Sequence, residues 1–287
     1  MLNNLKKILR GIHKPAFRFA EKYLKIHITP VHFYSPIPNV SELSPDIYTK
    51  ENECIGLELD VESQLAFLRE NCSVYIDEYT PPVNDGLSQV DAFILYALIR
   101  DKKPTTMIEI GSGDSTKISL SALGENEKEG VICQFTAIEP YPKQYLRDIE
   151  NKNFKLIQKK IQDVDVELFS QADILFIDSS HVAKIGSDVN YEILDIIPRL
   201  KVGAIVHWHD IMIPFDYHKV WIDSGNMFWN ESYMVHAFML HNKSFKVIWA
   251  SRFMQESCSL QLSKMFSYFN PSDSMQQLSS FWIQRVS

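Results

Sequence analysis

Glycine is scarce in this chain, with ten in 287 residues. Cysteine is scarcer: Cys54, Cys72, Cys133 and Cys258 are the whole supply, and none falls at CxxC spacing. That pattern argues against a cysteine-built zinc site or a disulfide framework, and predicts reduced packing thiols in a cytoplasmic protein. No apolar run approaches the roughly 20 residues needed to span a bilayer. The N-terminus lacks the continuous apolar stretch of a secretory signal. Net positive charge is also missing: 29 basic residues against 36 acidic ones leave −7, which argues against nucleic acid as a partner. What remains is an ordinary 45% hydrophobic content in a length suited to one large domain or slightly more.

Against so little glycine, two within three residues carry weight. Residues 107–116 read Met-Ile-Glu-Ile-Gly-Ser-Gly-Asp-Ser-Thr. A short apolar run carries an acid, Glu109, and bends at Gly111, Ser112 and Gly113 before Ser115. Glycine tolerates positive φ and lets a ligand approach the main chain. A strand, a glycine turn and a helix N-terminus together form a cradle for nucleotide-like cofactors. The dinucleotide fingerprint asks for a third glycine where Thr116 stands, which breaks the nicotinamide pattern. A carboxylate beside the turn instead complements the cationic sulfonium and amino groups of S-adenosylmethionine. A tight turn with no ligand at all is the plainer alternative.

A second apolar run, 135–138, ends at Glu139-Pro140. An acid closing the second strand of a doubly wound sheet hydrogen-bonds ribose hydroxyls, so Glu139 and Pro140 are assigned to the cofactor. After a third strand, Gln162 and Asp163 fall where an adenine edge would be read. The run 173–177 ends at Asp178-Ser-Ser-His181, and the run 203–208 ends at His209-Asp210. Adjacent parallel strands would bring these four to one rim. Mixed imidazole and carboxylate groups suit a divalent metal such as Mn²⁺, Fe²⁺ or Zn²⁺, whereas Mg²⁺ prefers oxygen ligands and water. A metal-free reading makes one histidine a general base on a substrate hydroxyl; the plainest reading is loop ends that orient one another. His207, sharing a strand face with His209, is expected to be interior. Tyr217, Trp221, Phe228 and Trp229 sit in a long aromatic stretch that either stacks on an acceptor or covers the sheet edge.

Hydrophobic periodicity predicts helices over 61–71, 89–100, 115–123, 142–150, 164–169, 187–199 and 230–240, and strands over 107–110, 134–138, 154–157, 173–177, 203–208, 245–250 and 281–286. The turn Asn84-Asp85-Gly86 closes the loop before 89–100. Helices alternating with short apolar strands predict an α/β fold, a Rossmann-like doubly wound sheet whose site lies at the carboxyl ends of the strands. Residues 1–60 are set apart as a basic amphipathic segment and a proline-rich arm; 61–287 form the main domain. Within 1–27, seven basic residues face one acid, Glu21. Such a segment either rests on an anionic membrane surface or packs its apolar stripe on its own domain.

In order along the chain, Glu109–Thr116, Ala137–Pro142, Asp173–His181 and Val206–Ile211 resemble class I S-adenosylmethionine-dependent methyltransferases, and in particular the bacterial group called methyltransferase family 24. The stretches Phe33–Pro38, Pro214–Tyr217 and Phe228–Glu231 extend that resemblance from about residue 30 onward. The resemblance implies a seven-stranded sheet with an antiparallel last strand. It implies that Glu109, Gly111 and Gly113 hold the methionine part of the cofactor and Glu139 the ribose. Related O-methyltransferases place a metal at the ends of strands four and five, which maps onto Asp178, His209 and Asp210. The later pair is more often two carboxylates, or carboxylate and amide; His-Asp here puts Mg²⁺ in doubt and leaves His209 open as a base. The expectation is an O-methyltransferase with S-adenosyl-L-methionine and a divalent metal (Mg or Mn). Its acceptor would be a small hydroxylated molecule, a sugar or glycan precursor. His209, Asp178 and His181 would be the catalytic groups. A homo-oligomer is left open, as is contact of residues 1–27 with the inner membrane face. Two rivals are a nicotinamide-dependent oxidoreductase and a non-catalytic membrane-associated scaffold.

Overall fold

The computed structural model describes residues 15–27, 29–80, 86–273 and 277–287. Most of the basic N-terminal segment, residues 1–14, and the first two residues of the predicted turn at 84–86 lie outside these. The chain forms two compact units, one from residues up to 48 with 218–228, the other from 49–217 with 229–287.

In the smaller unit a helical turn, Ala20–Leu24, is followed by short 3₁₀ turns, Val40–Glu42 and Pro45–Tyr48, and by the helix Lys219–Asp223. Ala20 is its one fully buried apolar residue among those described. Lys219 lies over the Tyr48 ring at 5.5 Å.

The larger unit is built on a seven-stranded sheet: β1 (Thr106–Ile110), β2 (Gln134–Ile138), β3 (Phe154–Ile157), β4 (Ile174–Ile177), β5 (Ile205–Trp208), β6 (Phe245–Ala250) and β7 (Phe281–Arg285). The spatial order is β3-β2-β1-β4-β5-β7-β6. All pairs are parallel except those of β7, which runs antiparallel between β5 and β6. This is the predicted α/β, Rossmann-like doubly wound sheet with an antiparallel last strand. The central strands β4 and β5 are buried at every residue, which is why they read as apolar runs interrupted only by His207.

One face of the sheet packs against the helices Gln89–Lys102, Asp114–Lys128 and Ser251–Met265 through Met107, Phe135, Phe176 and Trp282. The other face packs against the segments 161–172, 188–199 and 231–239 through Ile108, Ile110, Leu175 and Trp208. The helix Gln89–Lys102 is buried all round from Val90 to Arg100, and Ser88 caps it by accepting from the Asp91 backbone N–H.

Four elements differ from the periodicity. The predicted helix 142–150 is only the single turn Gln144–Arg147. The predicted helix 187–199 is three pieces: an α-turn Asp188–Tyr191, a wider turn Glu192–Ile196 and a 3₁₀ turn Ile197–Arg199. Pro198 lacks an N–H and cannot close a regular α-turn there. The predicted helix 164–169 is a 3₁₀ turn, Val166–Gln171, started by Asp165, whose side chain accepts from the Glu167 N–H. The helix Ser251–Met265 was not predicted at all; its polar composition hides an apolar line of Met254, Cys258 and Leu262 at four-residue steps, all buried. Among the described residues no helix is long and apolar enough to cross a membrane. All four cysteines are buried and unpaired, as their spacing suggested.

Candidate active site

The glycine turn follows β1 directly. Gly111 has φ +78, and its amide donates to the Ile138 carbonyl at 3.0 Å. A Cβ on Gly111 would come within 1.8 Å of the Asp178 carbonyl oxygen. Only glycine fits there, because the turn after β1 lies flat against the chain leaving β4. Gly113 is glycine for a different reason. Its φ of −160 is extended backbone, and a Cβ on it would meet nothing within 4 Å. The space above Gly113 is therefore open, at the N-terminus of the helix Asp114–Lys128, which no side chain caps. Buried Ser112 Oγ has no protein partner beside it. An open, donor-rich helix start next to an unsatisfied hydroxyl fits a bound cofactor.

Glu109 is fully buried, and its carboxyl accepts from Ser115 Oγ at 2.5 Å and Thr116 Oγ1 at 2.6 Å. Burial pushes its pKa up to about 8 despite those two hydroxyls. Glu109 thus braces the start of the helix and takes up Ser115 in doing so. Thr116, at the position where a dinucleotide site would have glycine, is locked by the same contact. Glu139 lies across the turn: its Oε2 accepts from the Ser112 amide at 3.4 Å and its Oε1 from the Tyr141 amide at 2.7 Å. Pro140 follows at the same strand end, half-buried. Gln162 donates to the Gly186 carbonyl at 2.9 Å, and Asp163 is exposed at the end of a 3₁₀ turn, Ile161–Asp163.

The second cluster assembles at the ends of β4 and β5. His181 Nε2 lies 3.3 Å from Asp178 Oδ1 and 3.5 Å from Asp210 Oδ2. One donor atom each from Asp178, His181 and Asp210 falls within 4.8 Å of the others. His209, placed in the metal set by the sequence reading, sits alongside. Its Nδ1 is 3.2 Å from Asp210 Oδ1 and 3.8 Å from Asp178 Oδ1, while its Nε2 is buried without a partner. His181 and Asp210 both hold left-handed backbone, φ +58 and +56. Non-glycine residues rarely adopt it, and such strain collects at functional sites.

Burial works against charge on His181, yet its hydrogen bonds to Asp178 and Glu231 and the charges of Glu231 and Asp210 outweigh it, raising its pKa well above 6.5. For His209 the order of causes is the same, burial against Asp210 and Asp178, and the result is a pKa raised to about 9. Asp210 is held down to about 2: burial raises it, but His209, His181 and Ser279 prevail. The rim therefore stores negative charge that its own imidazoles neutralise.

Two residues that carry this geometry, Glu231 and Asp91, were missed from sequence, whereas Trp229 lies in the aromatic stretch singled out there. Glu231, buried, accepts at 2.8 Å from His181 Nδ1 and so turns Nε2 toward the two aspartates. A carboxylate behind a histidine is the usual support of a metal-ligating imidazole. Trp229 packs on the His181 ring at 4.5 Å between centroids. Asp91, buried and 160 residues before Ser251, accepts from the amides of Ser279 (3.0 Å) and Ser280 (3.4 Å) and from Ser251 Oγ. Ser279 Oγ donates to Asp210 Oδ1 at 3.1 Å, and Ser280 Oγ bonds His207 Nε2 at 3.0 Å. Asp91 is thereby the back wall of the rim. A Glu two residues after Trp229, or an Asp at a helix start, gives no local signal for either role.

His207 is interior as expected, stacked on Phe176 at 3.9 Å, and burial drives its pKa well below 6.5. Tyr217 is a packing residue, 2% exposed, its hydroxyl accepting from the Ser232 amide at 2.8 Å. Trp221 and Phe228 belong to the smaller unit. A cavity of about 850 Å³ opens elsewhere, over β6 and the segment 56–71, lined by Glu58, Glu70, Lys102, Lys243 and Lys246 among others. No residue of the rim or the glycine turn lines it.

Comparison with known proteins bears on this geometry. A family described as methyltransferase domain matches residues 108–211, which run from β1 through the rim. An uncharacterized protein of Archaeoglobus fulgidus is 33% identical over 160 residues, 49% of this chain and 71% of that protein. Among solved structures, the methyltransferase PaMTH1 of Podospora anserina, bound to S-adenosylhomocysteine, is 15% identical at a TM-score of 0.44, covering 81% of this chain and 91% of that one. An O-methyltransferase of Bacillus cereus, likewise bound, is 10% identical at 0.41, covering 80% and 92%. The fold assignment rests on the sheet order described above rather than on these two likenesses. With the family match lying over the glycine turn and both strand ends of the rim, residues 108–211 are a methyltransferase domain, and the chain is an S-adenosylmethionine-dependent methyltransferase.

Proposed function

We propose that the protein is an O-methyltransferase that moves the methyl group of S-adenosylmethionine to a hydroxyl of a small polyhydroxylated acceptor, a sugar or glycan precursor. The observation that carries this is the contact between the two halves of the site. The glycine turn rests on the Asp178 carbonyl, so a donor held over Gly113 would share an edge with the carboxylate–imidazole rim. The domain for the reaction is taken as 61–287, with 1–60 as its extension.

Bound S-adenosylmethionine supplies an activated methyl carbon, and the protein contributes alignment and deprotonation. Gly111 keeps the turn flat. Gly113 leaves room above the helix start, with Ser112 and Ser115 at its edges. Glu139 faces the turn from β2, where it would meet ribose hydroxyls; Gln162 and Asp163 lie beyond β3 on the side assigned to the base. Glu109 supports the turn from beneath.

Asp178, His181 and Asp210 would hold a divalent cation, which would bind an acceptor hydroxyl and lower its pKa. Two carboxylates and one imidazole suit Mn²⁺ at least as well as Mg²⁺. Glu231 fixes the tautomer of His181 for that purpose. His209 has a buried Nε2 without a partner and an Nδ1 facing Asp210; a cation on Asp178 and Asp210 would cancel the charge that keeps it protonated, and the neutral imidazole would then receive the hydroxyl proton. Trp229, half-buried against His181, offers an apolar ring face of the kind sugars stack on.

Calorimetry with S-adenosylhomocysteine tests the donor half. The wild-type chain should bind it, and Gly113→Leu should not, while melting at the same temperature because its side chain enters open space. Electron paramagnetic resonance with Mn²⁺ tests the other half, with Asp178→Asn and Asp210→Asn each expected to weaken uptake. Absence of S-adenosylhomocysteine binding by folded wild-type protein overturns the proposal.

A further inference from the structure

The smaller unit presents apolar and cationic side chains where a self-contained unit would bury them. Phe19 is 58% exposed and Tyr23 63%, and Leu24 and Ile26 are also exposed. Arg18, Lys22 and Lys25 lie among them on the same short stretch. A second feature continues it. At residues 32–35 the chain makes a tight turn closed by Ser35 N–H to His32 carbonyl at 2.8 Å, with the Tyr34 amide donating to His32 Nδ1 at 3.1 Å. Its tip holds Phe33 and Tyr34 edge to face, 5.4 Å apart, at 94% and 86% exposure. Two adjacent aromatic rings held at the tip of a hydrogen-bonded turn form an apolar projection, not a solvated loop.

Charge selects the occupant. Residues 1–27 carry seven basic residues and one acid, a net +6, within a chain of −7, so the remainder carries −13. A net-acidic remainder is repelled by anionic lipid, whereas this arm carries the opposite charge and is attracted to it. Aromatic rings beside lysines are the pairing that settles at the headgroup boundary, rings in the apolar layer and ammonium groups at the phosphates.

We propose that the arm around Phe19–Tyr34 docks the protein on an anionic lipid surface, with the Phe33-Tyr34 tip entering the interface and Arg18, Lys22 and Lys25 meeting lipid phosphates. This goes beyond the methyl-transfer reading and stands on a different unit of the chain.

The test uses full-length protein and sedimentation with large vesicles, one set of pure phosphatidylcholine and one with 30% phosphatidylglycerol as an order-of-magnitude anionic fraction (~30%). Binding should be at least about tenfold stronger to the anionic vesicles and fall with added salt. Lys22→Glu with Lys25→Glu should abolish that preference. Phe33→Ser with Tyr34→Ser should weaken binding about tenfold even at low salt. Binding of S-adenosylhomocysteine, measured on each variant, reports that the larger unit is folded; it should be unchanged, and its absence in wild type would count against the methyl-transfer reading while leaving the docking result to stand by itself. Equal binding to both vesicle types, or none to either, overturns the proposal. So does vesicle-free self-association, seen by light scattering, that the Phe33→Ser, Tyr34→Ser pair removes, because the occupant would then be a second copy of this chain.

Discussion

The larger unit contains two buried charge clusters, and they are built on opposite rules. Around Arg100, every group is answered. Its Nε and Nη2 donate to Glu78 at 2.6 and 3.0 Å, Nη2 also reaches Glu129 at 2.5 Å, and Nη1 meets Asn126 Oδ1. Tyr96 OH donates to the same Glu78 at 2.5 Å, and Tyr75 lies under the guanidinium at 5.2 Å. Hydrogen bonding to Glu78 drives the Arg100 pKa further up, so the cluster holds one charge state. At the rim, by contrast, His209 Nε2 and Glu231 Oε1 are buried with no partner, two residues hold left-handed backbone, and acids crowd two imidazoles. Saturated pairing fixes a structure; unsatisfied, convergent pairing leaves valence for something that arrives later.

The comparison can be broken most severely at Gly111. In Gly111→Ala the new methyl meets the Asp178 backbone, which cannot yield as a side-chain tip would, at a position with φ +78. The expected loss is about 3 kcal/mol of stability together with more than a hundredfold weaker binding of both S-adenosylhomocysteine and Mn²⁺. Denaturation and calorimetry read the two losses separately. Next is Arg100→Met, which strands Glu78 and Asn126. With Glu78 and Glu129 side chains 34% and 42% exposed, water relieves part of the penalty, and roughly 2–4 kcal/mol should be lost in urea titration. Cofactor affinity of the folded fraction should not change, which would mark this cluster as structural alone.

Glu231→Gln sharpens the contrast from the other side. It keeps the shape behind His181 but removes the carboxylate, so Mn²⁺ affinity should fall about 10- to 100-fold. A titration showing unchanged Mn²⁺ affinity would put the rim in the same class as Arg100. At Glu109, whose hydrogen-bond partners are the neutral hydroxyls of Ser115 and Thr116, the effect is expected only as a pH slope. Its folded pKa of about 8 lies above the ordinary 4.5, so the folded state keeps a proton that the unfolded chain releases. The resulting stability is complete below about 4.5 and is lost as pH rises through about 8. Glu109→Gln lacks this dependence. Its melting temperature relative to wild type should therefore rise by a few degrees, on the order of 1 kcal/mol per pH unit, between pH 5 and 8.

What could be read from the sequence follows from distance along the chain. β1, β2, β4 and β5 announce themselves because parallel strands buried on both faces are runs of Ile, Leu, Val and Phe, each closed by a polar residue at the same end. Asp178, His181, His209 and Asp210 were legible for the same reason: each ends such a run. Glu231 and Asp91 were not, since one reaches His181 across 50 residues and the other reaches Ser279 across 188. Gly111 and Gly113 looked alike as letters, and only their surroundings separate a steric necessity from an open space. The helix Ser251–Met265 escaped because its buried line is three residues wide in a polar stretch.

The placement of β7 has a consequence for how the protein is made. It is the last of the seven strands to leave the ribosome, yet it lies between two that precede it, β5 and β6. Until it emerges, β5 and β6 lack the strand they both pair with, and Ser279 and Ser280, which lead into β7, are not there to seat Asp210 and His207. The carboxylate–imidazole rim is therefore completed only when β7 takes its place between β5 and β6.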